Sequence, residues 1–452
     1  MMKIPAAARK ITEAFAPALT KPTHARWCVL LVAAILTVGG RTVSNLLRTV
    51  GRFAPGHASS YHRVLSRRRF WAWRAAKILT QLVLEAFYAT GEIRLAGDDT
   101  VDEHPGDKVF GKGCHRDAVR SSHTFTAYRW GHKWVVLAVL VSVPWARRPW
   151  ALPILVALYR PKPKSTGKKA KTFARHKTPA TLMRQLLAVL IRWLPERKFV
   201  FSGDGGFATH DLARFAKRHR RQLVLVSRFY PDANLCALPP VRGKARGRPR
   251  VKGRKLAAPQ DVVRKTKRRR RLTVAWYGGG QRKVEVVTGT GHWYHSGAGL
   301  VEVRWVFVHD LTGTHRDDYF FTTDVTRTPQ QIIETFTGRW SIETTFQELR
   351  AYLGLETTRG RTRHTVLRAA PMLFGLYSVV VLLYVRMPQR WRATPGVQWI
   401  GKQTITFSDV ITAVRRWLWA EVILETACNT VVFSKLPKQF QIAVLHGFAA
   451  AA

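Results

Sequence analysis

Three acidic residues of the sequence have the types and settings needed for metal-dependent chemistry. Asp99 ends a strand-like run over residues 92–99, and Asp204 ends a second such run and is followed by two glycines. Glu343 lies in a stretch with helical character. Divalent cations that act on phosphodiester bonds are held by carboxylate oxygens, which two strand ends and one helix could supply. The pattern therefore predicts a centre for two divalent cations.

The charge balance indicates a polyanionic partner. The chain has 75 Lys and Arg against 27 Asp and Glu, a net charge of +48, and a pI near 11.4. Such an excess attracts nucleic acid. Six acids nevertheless fall within residues 92–107, namely Glu92, Asp98, Asp99, Asp102, Glu103 and Asp107. Crowded carboxylates stay ionised together best around a cation, although a solvated acidic loop would have the same composition.

Length and cysteine usage limit the class of protein. A chain of 452 residues with 46% hydrophobic content can bury a large core in two to four structural units. Its four cysteines form no C-x-x-C pair, so they predict neither a zinc site nor disulfides and fit the cytoplasm. The apolar stretches 27–40, 135–159 and 372–385 are short or interrupted, so we expect core segments and no membrane partner.

The order of elements predicts an α/β fold with a ribonuclease H-like core over residues 91–229. A strand ending at Asp99 comes first, followed by two apolar strands, and then by alternating helices and strands. The expected ranges are strands 134–143 and 151–159, helix 179–194, strand 198–203, helix 208–219 and strand 222–228. In this arrangement the first two acids would lie at the tips of adjacent central strands.

Four further regions flank or complete this core. Residues 1–90 are basic and helical, and could form a helix-turn-helix whose second helix ends in Arg67, Arg68 and Arg69. A plain helical hairpin is the alternative. Residues 230–328 are a basic, β-rich insertion, in which 241–271 hold fifteen Lys or Arg against one acid and are expected to be mobile in isolation. Residues 329–390 carry the glutamate helix and complete the core, and residues 391–452 form a C-terminal helical region.

The helix expected to begin at Pro329 places four residues on one face. Phe336, Arg339, Glu343 and Arg350 are separated by three, four and seven positions. A surface ladder of ion pairs would have the same spacing. Neighbouring apolar residues indicate a buried helix instead, where a carboxylate needs a partner or a metal.

These motifs resemble bacterial insertion-sequence transposases of the DDE superfamily, in the group with a tyrosine-arginine-glutamate-lysine signature. The tripeptide 98–100 resembles the first-aspartate motif, and residues 202–207 resemble the second. The spacing Phe336-x2-Arg339-x3-Glu343-x6-Arg350 resembles the signature itself. Phenylalanine here replaces the signature tyrosine, and arginine replaces its lysine, which changes how phosphate could be bound.

The resemblance implies that Asp99, Asp204 and Glu343 are the catalytic metal ligands, with two Mg²⁺ ions that Mn²⁺ can replace. Only one of Asp98 and Asp99 can face the metals, because successive strand residues point to opposite faces. The family match selects Asp99. Arg339 and Arg350 would grip DNA phosphates, although an ion pair with Glu343 or Glu348 is the alternative.

Other basic and aromatic residues suggest DNA contacts. Arg246, Arg248 and Arg250 lie in a short run that resembles a minor-groove hook, with a simple phosphate clamp as the alternative. Four aromatic residues of the insertion could stack on an extruded base or be plain core. They are Trp276, Tyr277, Trp293 and Tyr294.

The resemblance therefore predicts an enzyme that binds the inverted-repeat ends of a transposon, cleaves them and joins their 3′ ends to target DNA. Its partners would be double-stranded DNA and a second copy of the chain, because the two ends must be brought together. We expect a cytoplasmic, nucleoid-associated bacterial protein. The alternatives are a nuclease of the same fold that does not join strands, and a catalytically inactive DNA-binding regulator.

Overall fold

The computed structural model describes residues 5–67, 70–117, 120–122, 124–162, 176–240, 250–392, 404–424 and 435–449. In these ranges one mixed sheet has the strand order β2-β3-β1-β5-β6-β11-β10-β9-β7, with β4 paired to β3 and β8 paired to β9. The strands are β1 Ile93–Glu103, β2 Gly113–Arg116, β3 Tyr128–Val141, β4 Trp150–Tyr159, β5 Phe199–Gly203, β6 Leu223–Arg228, β7 Leu235–Cys236, β8 Arg270–Ala275, β9 Gln281–His295, β10 Gly299–Asp310 and β11 Asp318–Thr322.

The central part of the sheet has the predicted ribonuclease H-like arrangement. Strands β1, β5 and β6 are parallel, whereas β3 pairs antiparallel with both β1 and β4. Helix α6 (Pro179–Trp193) leads from β4 to β5, and α7 (His210–Arg218) connects the parallel strands β5 and β6. The predicted α/β fold is therefore confirmed. Strand β1 is longer than predicted, since its pairing with β3 continues to Glu103, so Asp99 lies within the strand and not at its end.

The β-rich region continues the same sheet. Strand β11 pairs antiparallel with β6, and β10 and β9 follow it. Within the basic segment, α8 (Pro259–Lys265) buries Val263, and β8 begins at Arg270. From Pro259 onward this segment therefore has regular structure in the folded chain, where the backbone of β8 forms ladder hydrogen bonds with β9.

Helices from the N-terminal and C-terminal parts of the chain pack against the sheet. The N-terminal helices are α1 Ala6–Ala14, α2 Lys21–Leu36, α3 Val43–Val50, α4 Ala58–Ser66 and α5 Ala72–Phe87. The later ones are α11 Arg363–Arg386, α12 Gln389–Arg392, α13 Phe407–Leu418 and α14 Lys438–Ala449. In the described chain, α11 has the length and apolar composition of a membrane span, but 67% of its most apolar window is buried in the protein. It packs as a core helix against β4 and α5.

The candidate helix-turn-helix is part of this helical layer. Helix α4 buries Tyr61 and Val64, and Arg368 of α11 donates hydrogen bonds to the carbonyl groups of Val64 and Leu65. Arg67 is exposed just after α4, whereas Arg68 and Arg69 lie outside the described residues. Both the DNA-reading motif and the plain hairpin remain compatible with this packing.

The glutamate helix is two helices and not one. Helix α9 (Pro329–Gly338) begins at Pro329 as predicted, and α10 (Ser341–Leu353) carries Glu343. Between them, the amide of Arg339 bonds to the carbonyl of Phe336, only three residues back. The backbone stays right-handed helical through Arg339 and Trp340, and Arg339 contacts both the ring of Phe336 and the carboxylate of Glu343, so these three residues share a face as predicted. Phe336 also stacks on Phe320, with ring centres 4.3 Å apart.

Candidate metal centre

Two aspartates directly follow a pair of residues that are in register on adjacent parallel strands. Gly97 of β1 is in register with Gly203 of β5, so Asp98 and Asp204 occupy equivalent positions one residue farther on. Equivalent positions on neighbouring strands share a sheet face. Gly97 has to be glycine, because a Cβ there would overlap the ring of Phe201. The register therefore brings Asp98 and Asp204 to the same end of the paired strands and to the same face of the sheet.

Asp99 points to the other face. Its carboxylate pairs with the ammonium group of Lys133 at 2.8 Å, and Lys133 lies opposite Val101, which shares the face of Asp99. Asp98 faces α10 instead. Strand register therefore favours Asp98 over the predicted Asp99 as a partner of Glu343, because it places Asp98 on the side of Glu343.

Arg339 connects Asp98 to Glu343. Its Nη1 donates to Asp98 Oδ2 at 2.7 Å, and its Nη2 donates to Glu343 Oε1 at 3.0 Å. The side chain of Arg339 is only 8% exposed. The predicted grip on DNA phosphates is therefore not what this arrangement offers, and the ion pair with Glu343 is the alternative that the structure contains.

The electrostatics of the cluster follow from burial and crowding. Burial, opposed by Arg339 and assisted by the neighbouring carboxylates of Asp204, Asp99 and Glu343, raises the pKa of Asp98 to about 7. Burial also raises the pKa of Asp99, against the effect of Lys133. Burial alone would lower the pKa of Arg339, but the surrounding carboxylates outweigh it and raise it. The centre thus contains more negative charge than Arg339 neutralises.

The donor chemistry suits a hard divalent cation, which prefers carboxylate oxygens. Among the described residues, however, no three His, Cys, Asp or Glu side chains are already gathered closely enough to hold one. The guanidinium group of Arg339 lies between Asp98 and Glu343, where it satisfies both carboxylates. Such a cation fits the side chains of Asp98, Asp204 and Glu343, because they are carboxylates on the same side of the sheet. Arg339 must first release at least one of them.

Arg350 fixes the position of α10 relative to the strand that carries Asp98. Its Nε donates to Glu356 at 2.9 Å, and its Nη2 donates to the carbonyl of Val101 at 3.0 Å and to the hydroxyl of Thr100. Its donors are therefore directed at protein acceptors, and the phosphate contact of Arg350 stays a prediction. Arg350 holds the helix of Glu343 against β1.

Comparison with known families identifies the chain. Residues 14–283, more than half of its length, match the family described as DDE superfamily endonuclease, and this range contains Asp98 and Asp204. The chain belongs to the DDE superfamily endonucleases. Residues 260–386, which contain Glu343, match the family described as archaeal putative transposase ISC1217. The resemblance to DDE transposases is thereby confirmed.

One solved structure is also similar to this DDE transposase. It is a cryo-EM structure of the piggyBac transposase synaptic complex with hairpin DNA. The two chains are 9% identical, the match covers 94% of this chain and 76% of that chain, and the TM-score is 0.40. No curated protein is significantly similar to the transposase in sequence.

Three further arginines were predicted to contact DNA in the transposase. Arg250 is exposed, and Arg246 and Arg248 lie outside the described residues. Trp276 and Trp293 are buried, which matches the plain-core alternative for the aromatic residues of the insertion.

Sequence reasoning missed two residues of the site. Lys133 as partner of Asp99 depends on strand register, and Glu356 as partner of Arg350 depends on the short turn that follows α10. Asp98 was weighed against Asp99, and a signal that favours it was available, because the dipeptide Gly-Asp occurs in both strands, at 97–98 and at 203–204. Two parallel strands that carry the same dipeptide align it at one rung, and this signal selects Asp98.

Proposed function

We propose that this DDE transposase binds transposon ends, cleaves them by metal-dependent hydrolysis and joins their 3′ ends to target DNA, with Asp98, Asp204 and Glu343 as the metal ligands. The observation that carries the proposal is the shared register of Asp98 and Asp204, together with the link from Asp98 to Glu343 through Arg339. Asp98 replaces Asp99 in the predicted set of three.

Two Mg²⁺ ions, which Mn²⁺ can replace, would supply a Lewis acid for the scissile phosphate and a water of lowered pKa. The protein residues do the remaining work. Asp98 and Glu343 would hold the cations after Arg339 releases them, because a divalent cation can neutralise the negative charge that Arg339 leaves uncompensated. Lys133 holds Asp99 away from the ligands, and Arg350 keeps Glu343 at a fixed distance from β1.

The substrate in this proposal is double-stranded DNA, both as inverted-repeat ends and as target. The net charge of +48 favours binding to such a polyanion, with a strong dependence on salt. A homodimer would hold the two ends together. Phe336 cannot supply the hydroxyl of the signature tyrosine, and it stacks on Phe320 in the core.

Cleavage and joining assays test this proposal. Pre-nicked end DNA and a plasmid target, with ends taken from the DNA that flanks the gene, would be incubated with the Asp98→Ala, Asp204→Ala, Glu343→Ala and Asp99→Ala variants. We expect the first three to lose cleavage and joining in Mg²⁺ and to keep DNA binding, whereas Asp99→Ala keeps measurable activity.

The alternatives give different results in the same assays. A nuclease would cleave without joining, and an inactive regulator would bind without cleaving. If Asp99→Ala is inactive while Asp98→Ala is active, the assignment by register is wrong.

A further inference from the structure

One edge of the sheet carries an exposed aromatic surface. Within the described ranges β2 is the last strand at this edge, and its Cys114 and Arg116 lie directly opposite Trp130 and Tyr128 of β3. Directly opposed residues of an antiparallel pair share a face. These four side chains, together with Lys112, whose Nζ lies 5.8 Å from the ring centre of Trp130, form what we call the hairpin face.

The exposure of its two rings is unusual for large aromatic side chains. Tyr128 is 66% exposed and Trp130 is 61% exposed. Phe125, in the preceding loop, is exposed to a similar degree. Farther along β3, by contrast, Trp134 is fully buried against the helices. Contiguous exposed apolar surface bordered by polar groups marks a binding site.

We propose that the hairpin face binds unpaired DNA, with bases stacked on Trp130 and Tyr128 and phosphates neutralised by Lys112 and Arg116. Every base has a π face, so stacking on aromatic rings suits single strands of any sequence. The cations beside the rings suit the sugar-phosphate backbone. This inference rests on the proposed function, in which DNA is the substrate.

The charge of the face favours DNA over a second copy of the chain. The outward side chains of the paired strands include Arg116 and no acid, and Lys112 lies over Trp130. Two copies meeting through this face would bring like charges together, in a chain with a net charge of +48. Such contacts oppose association, whereas a polyanion relieves the repulsion.

The hairpin face continues the sheet face of the candidate metal centre. Asp98 lies opposite Val136, and Trp130 is six residues from Val136 along β3, on the same face because side chains alternate. At roughly 3.3 Å per residue, Trp130 lies about 20 Å from the rung of Asp98. His132 and Trp134, which lie between these positions on the same face, are buried. An unpaired strand that leaves the centre would therefore reach the hairpin face around the covering helices and not along the sheet.

Binding of fluorescein-labelled oligo(dT) in EDTA over a range of KCl concentrations tests the proposal. We expect Trp130→Ala and Tyr128→Ala each to weaken binding by about fivefold or more, with an unchanged salt slope, since each stacked base contributes about 1–3 kcal/mol. Lys112→Ala and Arg116→Ala should each flatten the slope by about 0.7. Trp130→Tyr, which keeps a ring, should bind nearly as tightly as the unmodified protein.

The matched control is Trp73→Ala, because Trp73 of α5 is 56% exposed but lies outside the hairpin face. It should leave oligo(dT) binding unchanged, and circular dichroism checks that every variant is folded. Unchanged affinity of Trp130→Ala and Tyr128→Ala would overturn the proposal. So would a change in sedimentation without a change in DNA affinity, which would make the face an interface between copies.

This binding assay contains no divalent cation and requires no cleavage. A negative result here therefore leaves the proposed cleavage and joining untouched. Conversely, weaker oligo(dT) binding by Trp130→Ala in a protein that never cleaves DNA would support the hairpin face and refute the proposed activity alone.

Discussion

Replacing Arg339 with alanine should convert the arginine-bridged cluster into one that depends on a cation for its stability. Arg339 is 8% exposed, and its two ion pairs measure 2.7 and 3.0 Å. Removing one partner of a buried ion pair costs about 3–5 kcal/mol, because the other charge is left without compensation. Asp98, which is only 15% exposed, would be left beside Asp204, Asp99 and Glu343.

The expected shift in melting temperature follows from the size of the chain. An unfolding entropy of about 2.1 cal/mol/K per residue gives roughly 1 kcal/mol per degree for a chain of this length that unfolds as one unit. Arg339→Ala should therefore melt about 3–5 °C below the unmodified protein in EDTA. Millimolar Mg²⁺ or Ca²⁺ should recover much of this loss, because a cation that binds only the folded state stabilises it.

Differential scanning calorimetry measures both effects. The matched control is Arg327→Ala, because Arg327 is similarly buried and also bridges two carboxylates, those of Glu92 and Asp324. It should lose stability without recovering it on addition of the cation, since Lys198 still neutralises Glu92. If the cation raises the melting temperature of Arg339→Ala and of the unmodified protein equally, Arg339 does not occupy the place of a metal and the reasoning fails.

Three further predictions concern other charges. Burial and Glu356 raise the pKa of Asp102 to about 8. Because this pKa is higher in the folded state, the contribution of Asp102 to stability falls as pH rises from about 4 to about 8. Asp102→Asn should therefore raise the melting temperature near pH 9 and change it little near pH 4. Arg350→Ala should lower stability by about 1.5–3 kcal/mol through its lost bonds, and Arg350→Lys by less, as measured by urea unfolding. Changing the exposed Lys265, Lys267 and Arg268 to glutamine should weaken binding to all DNA duplexes alike. It should also flatten the dependence of the logarithm of the binding constant on the logarithm of salt concentration by about 0.9 per lost phosphate contact. A loss of preference for A·T-rich DNA alone would contradict this prediction.

Local patterns were sufficient for the elements and for two of the three proposed ligands. The sequence determined the helix that begins at Pro329, because proline at the first turn and a capping threonine act over four residues. Asp204 follows its short apolar strand as predicted, and Glu343 lies in a helix. The DDE family relationship was also readable, since its motifs are short and ordered along the chain.

The choice between Asp98 and Asp99 was decided only by the tertiary structure. A shift of one residue in register exchanges the faces of every side chain on a strand, and the register of β1 is set by its pairing with β3 and β5. The ion pair between Arg339 and Asp98 likewise joins residues 241 positions apart. Helical spacing alone did not indicate this contact, because it depends on how the helices pack against β1. The sequence therefore determines the types and order of these residues, whereas long-range pairing between strands determines the faces to which their side chains point.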